Sequence, residues 1–215
     1  MKIRQVSFFI PTHINYSEET VMTQILVEEK RWTYDDYLNL EDEKRYEIIG
    51  GKLIMMSPSL ETNHQFISAR LEFLFMRFVE SNDLGYVLDA PADVILDAEN
   101  IVQPDILFIA KDNRHIIKKR GVFGTPDLVV EILSPSTQYK DVFEKKNLYE
   151  RFKVKEYWIV NPYMKSIEVL SLNENGIYTL FSEGYMDEGG NRVILSKFLK
   201  DFSIDLCEVF KEDFM

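Results

Sequence analysis

The sequence predicts a domain of mixed α/β (α+β) class, in which helices flank a central mixed sheet. Apolar residues between positions 66 and 79 recur at helical spacing, which predicts a long amphipathic helix. Residues 128–133 are almost continuously apolar, as is typical of a central strand covered on both faces. Because further short apolar segments are bounded by Pro, Asp, Asn or Gly, helices and strands are expected to mix around one sheet.

Local signals place the individual elements. Thr33 and Asp36 have the spacing of a capping box, which opens a short helix. The pair Gly50-Gly51 supplies the positive φ that a tight hairpin turn requires. In order, we expect a helix at 34–40, strands at 45–50 and 52–56, the long helix from 62 to before Gly85, strands at 86–88, 94–96, 106–109 and 128–133, a helix at 141–152, and strands at 157–160, 166–170 and 177–181.

Length and composition limit the organisation and the cellular setting. A chain of 215 residues is expected to form one domain, residues 32–215, behind an N-terminal extension of residues 1–31. No apolar run is long enough to cross a membrane, so we expect a cytoplasmic protein without a membrane partner. With one cysteine and three histidines, disulfide frameworks and thiolate zinc sites are excluded, and any metal would be held by carboxylates.

The charge distribution restricts nucleic-acid binding to a local surface. The chain has 25 basic and 36 acidic residues, a net charge of −11, so bulk attraction to phosphates is excluded. Residues 111–120 and 138–155, however, carry local excesses of positive charge. Lys118, Lys119 and Arg120 are therefore candidates for substrate binding, although solvated loops explain such runs equally simply.

Three carboxylates interrupt apolar segments: Glu47, Asp105 and Glu131. Burying an isolated carboxylate costs several kcal/mol, so each needs a partner, a changed protonation state or a metal. If neighbouring strands place Asp105 beside Glu131, the pair suits a divalent cation. Each residue taken alone is explained as well by a strand end or by a buried Lys or Arg partner.

Five motifs follow one another along the chain. They are Tyr46-Glu47-Ile48-Ile49-Gly50-Gly51, Gln103-Pro104-Asp105-Ile106, Pro126-Asp127-Leu128-Val129-Val130-Glu131-Ile132, Asp141 with Lys145, and Glu156-Tyr157-Trp158-Ile159-Val160-Asn161-Pro162. As an ordered set, over roughly residues 32–210, they resemble the Uma-type putative restriction endonuclease family of the PD-(D/E)XK nuclease superfamily. The resemblance implies a restriction-endonuclease-like core.

The resemblance also implies roles for individual residues. Asp105 matches the PD aspartate and Glu131 the second acidic metal ligand, with the Ile132 carbonyl completing the metal site and Glu47 acting upstream. The lysine usual two residues after the second acid is Leu133 here, and Lys145 on the following helix matches the residue that takes its place in this family. His64 matches a recurrent residue that would contact phosphate. Alternatively, Lys145 forms a surface ion pair with Asp141, and His64 is a helix-capping or half-buried residue.

The implied function is that of a Mg- or Mn-dependent endonuclease that hydrolyses DNA phosphodiester bonds as a homodimer. The catalytic residues would be Glu47, Asp105, Glu131 and Lys145, with Lys145 a stabiliser of charge or a base. Two alternatives stay open. The missing strand lysine and the net charge favour a catalytically silent module that binds nucleic acid or protein, and the acidic surface is compatible with a hydrolase of small phosphates or nucleotides.

Overall fold

A computed structural model of the chain describes residues 30–41, 44–56, 62–134, 140–187 and 189–211, with the backbone alone at 140–142. Within these ranges, no helix combines the length and apolar character that a membrane crossing requires. Residues 1–29, most of the predicted N-terminal extension, lie outside the described residues. The boundary between that extension and a domain of residues 32–215 stays a prediction.

The described residues form four α-helices and fourteen strands. The helices are α1 (Tyr34–Leu38), α2 (Thr62–Ser81), α3 (Lys146–Arg151) and α4 (Leu206–Val209), and a π-helical turn, Lys140–Lys145, leads into α3. The strands are β1 (Tyr46–Ile49), β2 (Lys52–Met55), β3 (Gly85–Asp89), β4 (Val94–Asp97), β5 (Asn100–Val102), β6 (Ile106–Ala110), β7 (Ile117–Lys118), β8 (Gly121–Phe123), β9 (Leu128–Ile132), β10 (Glu156–Asn161), β11 (Ser166–Leu172), β12 (Tyr178–Tyr185), β13 (Val193–Leu195) and β14 (Ser203–Asp205).

Twelve of these strands form two six-stranded sheets. Sheet A has the strand order β2-β1-β5-β4-β8-β7, and sheet B has the order β12-β11-β10-β9-β6-β3. Both sheets are mixed, since β4 pairs in parallel with β8 in sheet A and β9 with β10 in sheet B, and the other pairs are antiparallel. The predicted mixed α/β class is confirmed, but the chain builds two large sheets where one was expected.

Strand β9 lies inside sheet B and shows the alternation expected of a strand buried on both faces. Leu128, Val130 and Ile132 belong to the core that contains α2. Val129 and Leu133 belong to a second core, formed with α3 and with strands of sheet A. Because apolar layers cover both faces, the run is apolar throughout. Sheet A in turn packs its other face against α1, around Ile48, Ile95 and Ile101.

The first helix and the first hairpin form for the local reasons that the sequence indicates. The Thr33 side chain accepts a hydrogen bond from the Asp36 backbone, and the Asp36 carboxylate accepts one from the Thr33 N–H, which completes the capping box of α1. Gly50 and Gly51 have φ values of 58° and 77°, so the turn uses the left-handed conformation that favours glycine. The hairpin fixes the register of β1, and with it the position of Glu47 opposite Ile54.

The buried carboxylate of Glu156 ties the C-terminal segment to sheet B. One oxygen accepts hydrogen bonds from Trp158 Nε1 at 2.7 Å and Ser196 Oγ at 2.6 Å. The other accepts from the backbone N–H groups of Lys197 and Phe198 at 2.7 and 2.8 Å. A buried acid with four donors is stabilised in place, so Glu156 has a structural role.

Most of the longer elements stand where the sequence predicts them, and the differences concern short strands, the four-residue helix α4, which was not predicted, and the helix after β9. Strands of two or three residues, β5, β7, β8, β13 and β14, were not predicted, since they are too short to show a period. The predicted helix at 141–152 divides into the π-helical turn and α3. Strand β5 matters for the site because it lies beside β1 and leads directly to Asp105.

Candidate active site

Strands β6 and β9 bring Asp105 and Glu131 together. The two strands are antiparallel, with Ile106 opposite Val130, so the next opposed pair is Asp105 and Glu131. The Ile132 N–H donates a hydrogen bond of 2.7 Å to Asp105 Oδ2, which fixes the aspartate against the end of β9. The two acids are therefore neighbours in the sheet, but their carboxylates have different partners: Asp105 contacts Ile132 and His64, and Glu131 contacts Lys145 and Tyr149.

The Glu131 carboxylate points away from α2 and receives two donors from the segment that follows β9. Lys145 Nζ lies 2.8 Å from Glu131 Oε1, and the Tyr149 hydroxyl donates to the same oxygen at 2.6 Å. Lys145 ends the π-helical turn and Tyr149 follows four residues later, so both side chains project from the same side of the helical segment. Only 3% of Lys145 and of Glu131 is exposed.

Glu47 reaches the same lysine from sheet A. Its Oε1 lies 3.0 Å from Lys145 Nζ and accepts a 3.0 Å hydrogen bond from the Gln103 N–H. Lys145 therefore bridges a carboxylate of sheet A and a carboxylate of sheet B, in a fully buried position. The surface ion pair between Lys145 and Asp141, considered from the sequence, does not account for a lysine buried in this way.

His64 lies in the first turn of α2 and closes the cluster on the side of Asp105. Its Nε2 is 3.2 Å from the Ile132 carbonyl oxygen and 3.5 Å from Asp105 Oδ1. Both oxygens only accept hydrogen bonds, so the Nε2 atom carries hydrogen in this arrangement. The His64 and Asp105 side chains are 13% and 20% exposed, whereas Glu47 and Lys145 are buried, so solvent reaches the cluster from the side of Asp105.

The cluster contains oxygen atoms of the chemical type that magnesium and manganese ions bind. Asp105 Oδ1 and the Ile132 carbonyl oxygen both approach one atom, His64 Nε2, and Glu131 stands opposite Asp105. Carboxylate and carbonyl oxygens are the ligands that these cations prefer. Among the residues that the structure describes, no group of three or more His, Cys, Asp and Glu side chains is placed to hold a metal ion.

A family model for putative restriction endonucleases, Uma2, matches residues 34–207, which include every residue of this cluster. The chain belongs to the Uma2 family. An uncharacterised Synechocystis protein (strain ATCC 27184 / PCC 6803 / Kazusa), slr1290, is 27% identical over 176 residues, covering 80% of this chain and 88% of the relative.

A solved structure supports the same fold. The crystal structure of a putative nuclease belonging to DUF820, from Anabaena variabilis ATCC 29413, matches with a TM-score of 0.65. The match covers 83% of this chain and 97% of that chain, at 19% identity. At this identity the likeness concerns the fold alone, and the Uma2 assignment rests on the family model.

The basic residues predicted to bind substrate lie outside the cluster. Lys118, Lys119 and Arg120 are exposed around the turn between β7 and β8, at the edge of sheet A opposite β2. With strands about 4.8 Å apart, β7 is about 19 Å from β1. Two of the six bases between residues 138 and 155, Lys145 and Lys155, form ion pairs with buried acids of the chain. The predicted basic surface is therefore smaller than the sequence indicates.

Three residues of this Uma2 site were not predicted from the sequence. Tyr149 is buried in the core, and its hydroxyl donates to Glu131. Gln103 donates its N–H to Glu47 and accepts from Arg45, whose Nε and NH2 atoms lie 2.8 and 2.6 Å from Gln103 Oε1. The sequence signal that could have indicated Arg45 and Gln103 is their spacing, since each lies two residues before an acid of the site, Glu47 and Asp105.

Proposed function

We propose that this Uma2 protein is a metal-dependent endonuclease that hydrolyses DNA phosphodiester bonds. The observation that carries the proposal is the convergence of Glu47, Glu131 and Lys145 beside Asp105, from both sheets and the helical segment after β9. Three carboxylates against one ammonium leave an excess of negative charge in a largely buried space. A divalent cation would balance that excess, and a phosphate group needs such a cation to approach.

Asp105, Glu131 and the Ile132 carbonyl would hold a magnesium or manganese ion. When bound, that ion supplies Lewis-acid polarisation of the phosphate and acidifies the attacking water. The chain itself orients the donors: the Ile132 N–H holds Asp105, and the Tyr149 hydroxyl holds Glu131. His64 keeps the Ile132 carbonyl and Asp105 directed to the same point.

Lys145 and Glu47 would act on the phosphate and the water. The Lys145 ammonium stabilises negative charge that develops on the phosphate oxygens, at a position fixed by two carboxylates. Glu47, held by the Gln103 N–H, orients the attacking water or a second cation. Because both carboxylates favour the charged ammonium, the structure supports electrostatic stabilisation by Lys145 over a role as base.

Plasmid cleavage tests the proposal. Purified protein is incubated with supercoiled DNA in magnesium, in manganese and in chelator, beside the variants Asp105→Asn and Glu131→Gln. Metal-dependent nicking that disappears in both variants is the expected result, since each removes a charged oxygen donor.

Asp127→Asn is the matched control. Asp127 is also a buried carboxylate, at the start of β9, but it is bonded to Lys155, to the Ala110 N–H and to Asn113. Nicking should survive this change if the protein remains folded, which a thermal melt monitors. Full activity of Glu131→Gln would contradict the proposed site.

One observation favours a second candidate, a catalytically silent binding module of the same fold. Lys145 is saturated by two buried carboxylates, an arrangement that also serves as a purely structural bridge between the sheets. The two functions differ in a direct assay. A silent module binds DNA or a protein without metal-dependent turnover, so robust nicking by the wild type removes this candidate.

A further inference from the structure

Arg45 lies at the margin of the candidate active site and is held there by an uncharged group. It directly precedes β1, and its carbonyl accepts a 2.9 Å hydrogen bond from the Met56 N–H, which continues the β1–β2 ladder. Its guanidinium donates twice to Gln103 Oε1, at 2.8 and 2.6 Å. Arg45 itself is exposed. The contacts with Gln103 thus hold the guanidinium in place while Arg45 stays accessible to solvent.

The position of Gln103 is fixed from several sides. The residue is 5% exposed, its N–H donates to Glu47, and its Nε2 donates to Asp93 Oδ1 at 2.6 Å and lies 3.4 Å from the Tyr37 hydroxyl. Because these contacts require the amide nitrogen to face Asp93, the amide oxygen must face Arg45. A fixed acceptor of this kind holds a guanidinium fork in one orientation.

The charge of Arg45 is not cancelled by an ion pair. Within the described ranges of the chain, no carboxylate lies within ion-pair distance of its guanidinium, in contrast to Arg31, which pairs with Glu99. Asp105 follows Gln103 by two residues, at most about 7 Å of extended chain. An oriented guanidinium that forms no direct ion pair, beside a candidate phosphodiesterase site, suits a phosphate oxygen.

The exposed bases around the β7–β8 turn lie at the same end of sheet A. The strand register, extended from the printed pairs, sets Tyr46, Gln103, Asp93, Gly121 and Lys118 at one level of the sheet, and Arg45 directly precedes Tyr46. At about 4.8 Å per strand, β8 and β7 are about 14 and 19 Å from β1, a span of about four to six base-pair steps at 3.4 Å each.

We propose that Arg45 binds a backbone phosphate next to the one that is cleaved, and that Gln103 is its positioning residue. This inference rests on the proposed nuclease function and adds to it the residue that fixes the DNA strand at the site. Asp105, Glu131 and Lys145 then act on the neighbouring phosphate. The basic turn of Lys118, Lys119 and Arg120 provides a second, more distant contact with the same duplex.

Fluorescence anisotropy with a labelled duplex of about 20 base pairs tests this role, in chelator and again with calcium, across about 50 to 200 mM salt. Arg45→Ala should lower the affinity about tenfold and reduce the slope of log affinity against log salt by about one. Arg45→Lys keeps the charge but loses the fork, so it should keep the slope and lose affinity. Gln103→Met should also keep the salt slope and lower the affinity, because Arg45 keeps its charge but loses its orientation.

The matched control is Arg77→Ala. Arg77 is exposed on α2, about 20 Å along the helix from His64, and should bind DNA as the wild type does. Unchanged affinity and slope for Arg45→Ala overturn the inference. A wild-type protein that binds no duplex, either in chelator or with calcium, also overturns the inference. Plasmid cleavage is scored separately. If the wild type cleaves DNA and Arg45→Ala binds DNA normally, the proposed nuclease function stands and only the role of Arg45 is refuted.

Discussion

Replacing Lys145 with methionine should destabilise the fold by an amount that the site geometry sets. Lys145 Nζ lies 3.0 Å from Glu47 Oε1 and 2.8 Å from Glu131 Oε1, so the two carboxylate oxygens are within about 6 Å of each other. Without the ammonium, two buried negative charges at that distance repel by about 3 kcal/mol at an effective dielectric constant of about 20. We expect the free energy of unfolding to fall by about 3–5 kcal/mol.

Urea denaturation followed by circular dichroism at neutral pH measures this loss. The double variant Glu47→Gln with Lys145→Met should recover much of it, because it removes one of the two facing charges. Both variants lose the packing of the lysine side chain, but only the double variant loses one of the facing charges. Recovery of stability in the double variant therefore measures the charge repulsion.

Lys155→Met is the control for a lysine paired with a buried acid. Lys155 Nζ lies 2.7 Å from Asp127 Oδ1, but its side chain is 56% exposed and Asp127 keeps other donors. Its replacement should cost at most about 1 kcal/mol. If Lys145→Met and Lys155→Met unfold at the same urea concentration, the reasoning about the buried bridge is refuted.

Three further changes test other parts of the fold. Glu156→Ala leaves four donors without their acceptor and should lower the free energy of unfolding by more than about 3 kcal/mol in urea, whereas unchanged stability would contradict its anchoring role. Burial, reinforced by Asp93, raises the pKa of Tyr37 to about 12. The neutral phenol therefore stabilises the fold fully below about pH 10, and this is lost as pH rises toward 12. Tyr37 is partly exposed, so its contribution to the fall in the free energy of unfolding between about pH 10 and 12 should be roughly 1 kcal/mol. Tyr37→Phe should remove this part of the fall in urea titrations at successive pH values. Thr33→Ala removes the cap of α1 and should cost about 1 kcal/mol, seen as a lower thermal midpoint.

The elements around the site were largely predictable because their signals are local. The glycine turn set the first hairpin, helical spacing set α2, and the apolar run around Glu131 identified β9 as a strand covered on both faces. The family resemblance indicated Asp105, Glu131 and Lys145, and the family membership itself is now established by the match over residues 34–207. Their catalytic roles stay predictions.

The sequence by itself determined most of the longer helices and strands and which acids would be costly to bury, because periodicity and desolvation act over a few residues. The tertiary structure alone decided which partners those acids receive. Glu47 and Glu131 are 84 positions apart, on different sheets, and share Lys145 only because the helical segment after β9 packs between the sheets. The Arg45–Gln103 contact likewise depends on the pairing of β1 with β5, which no local pattern specifies.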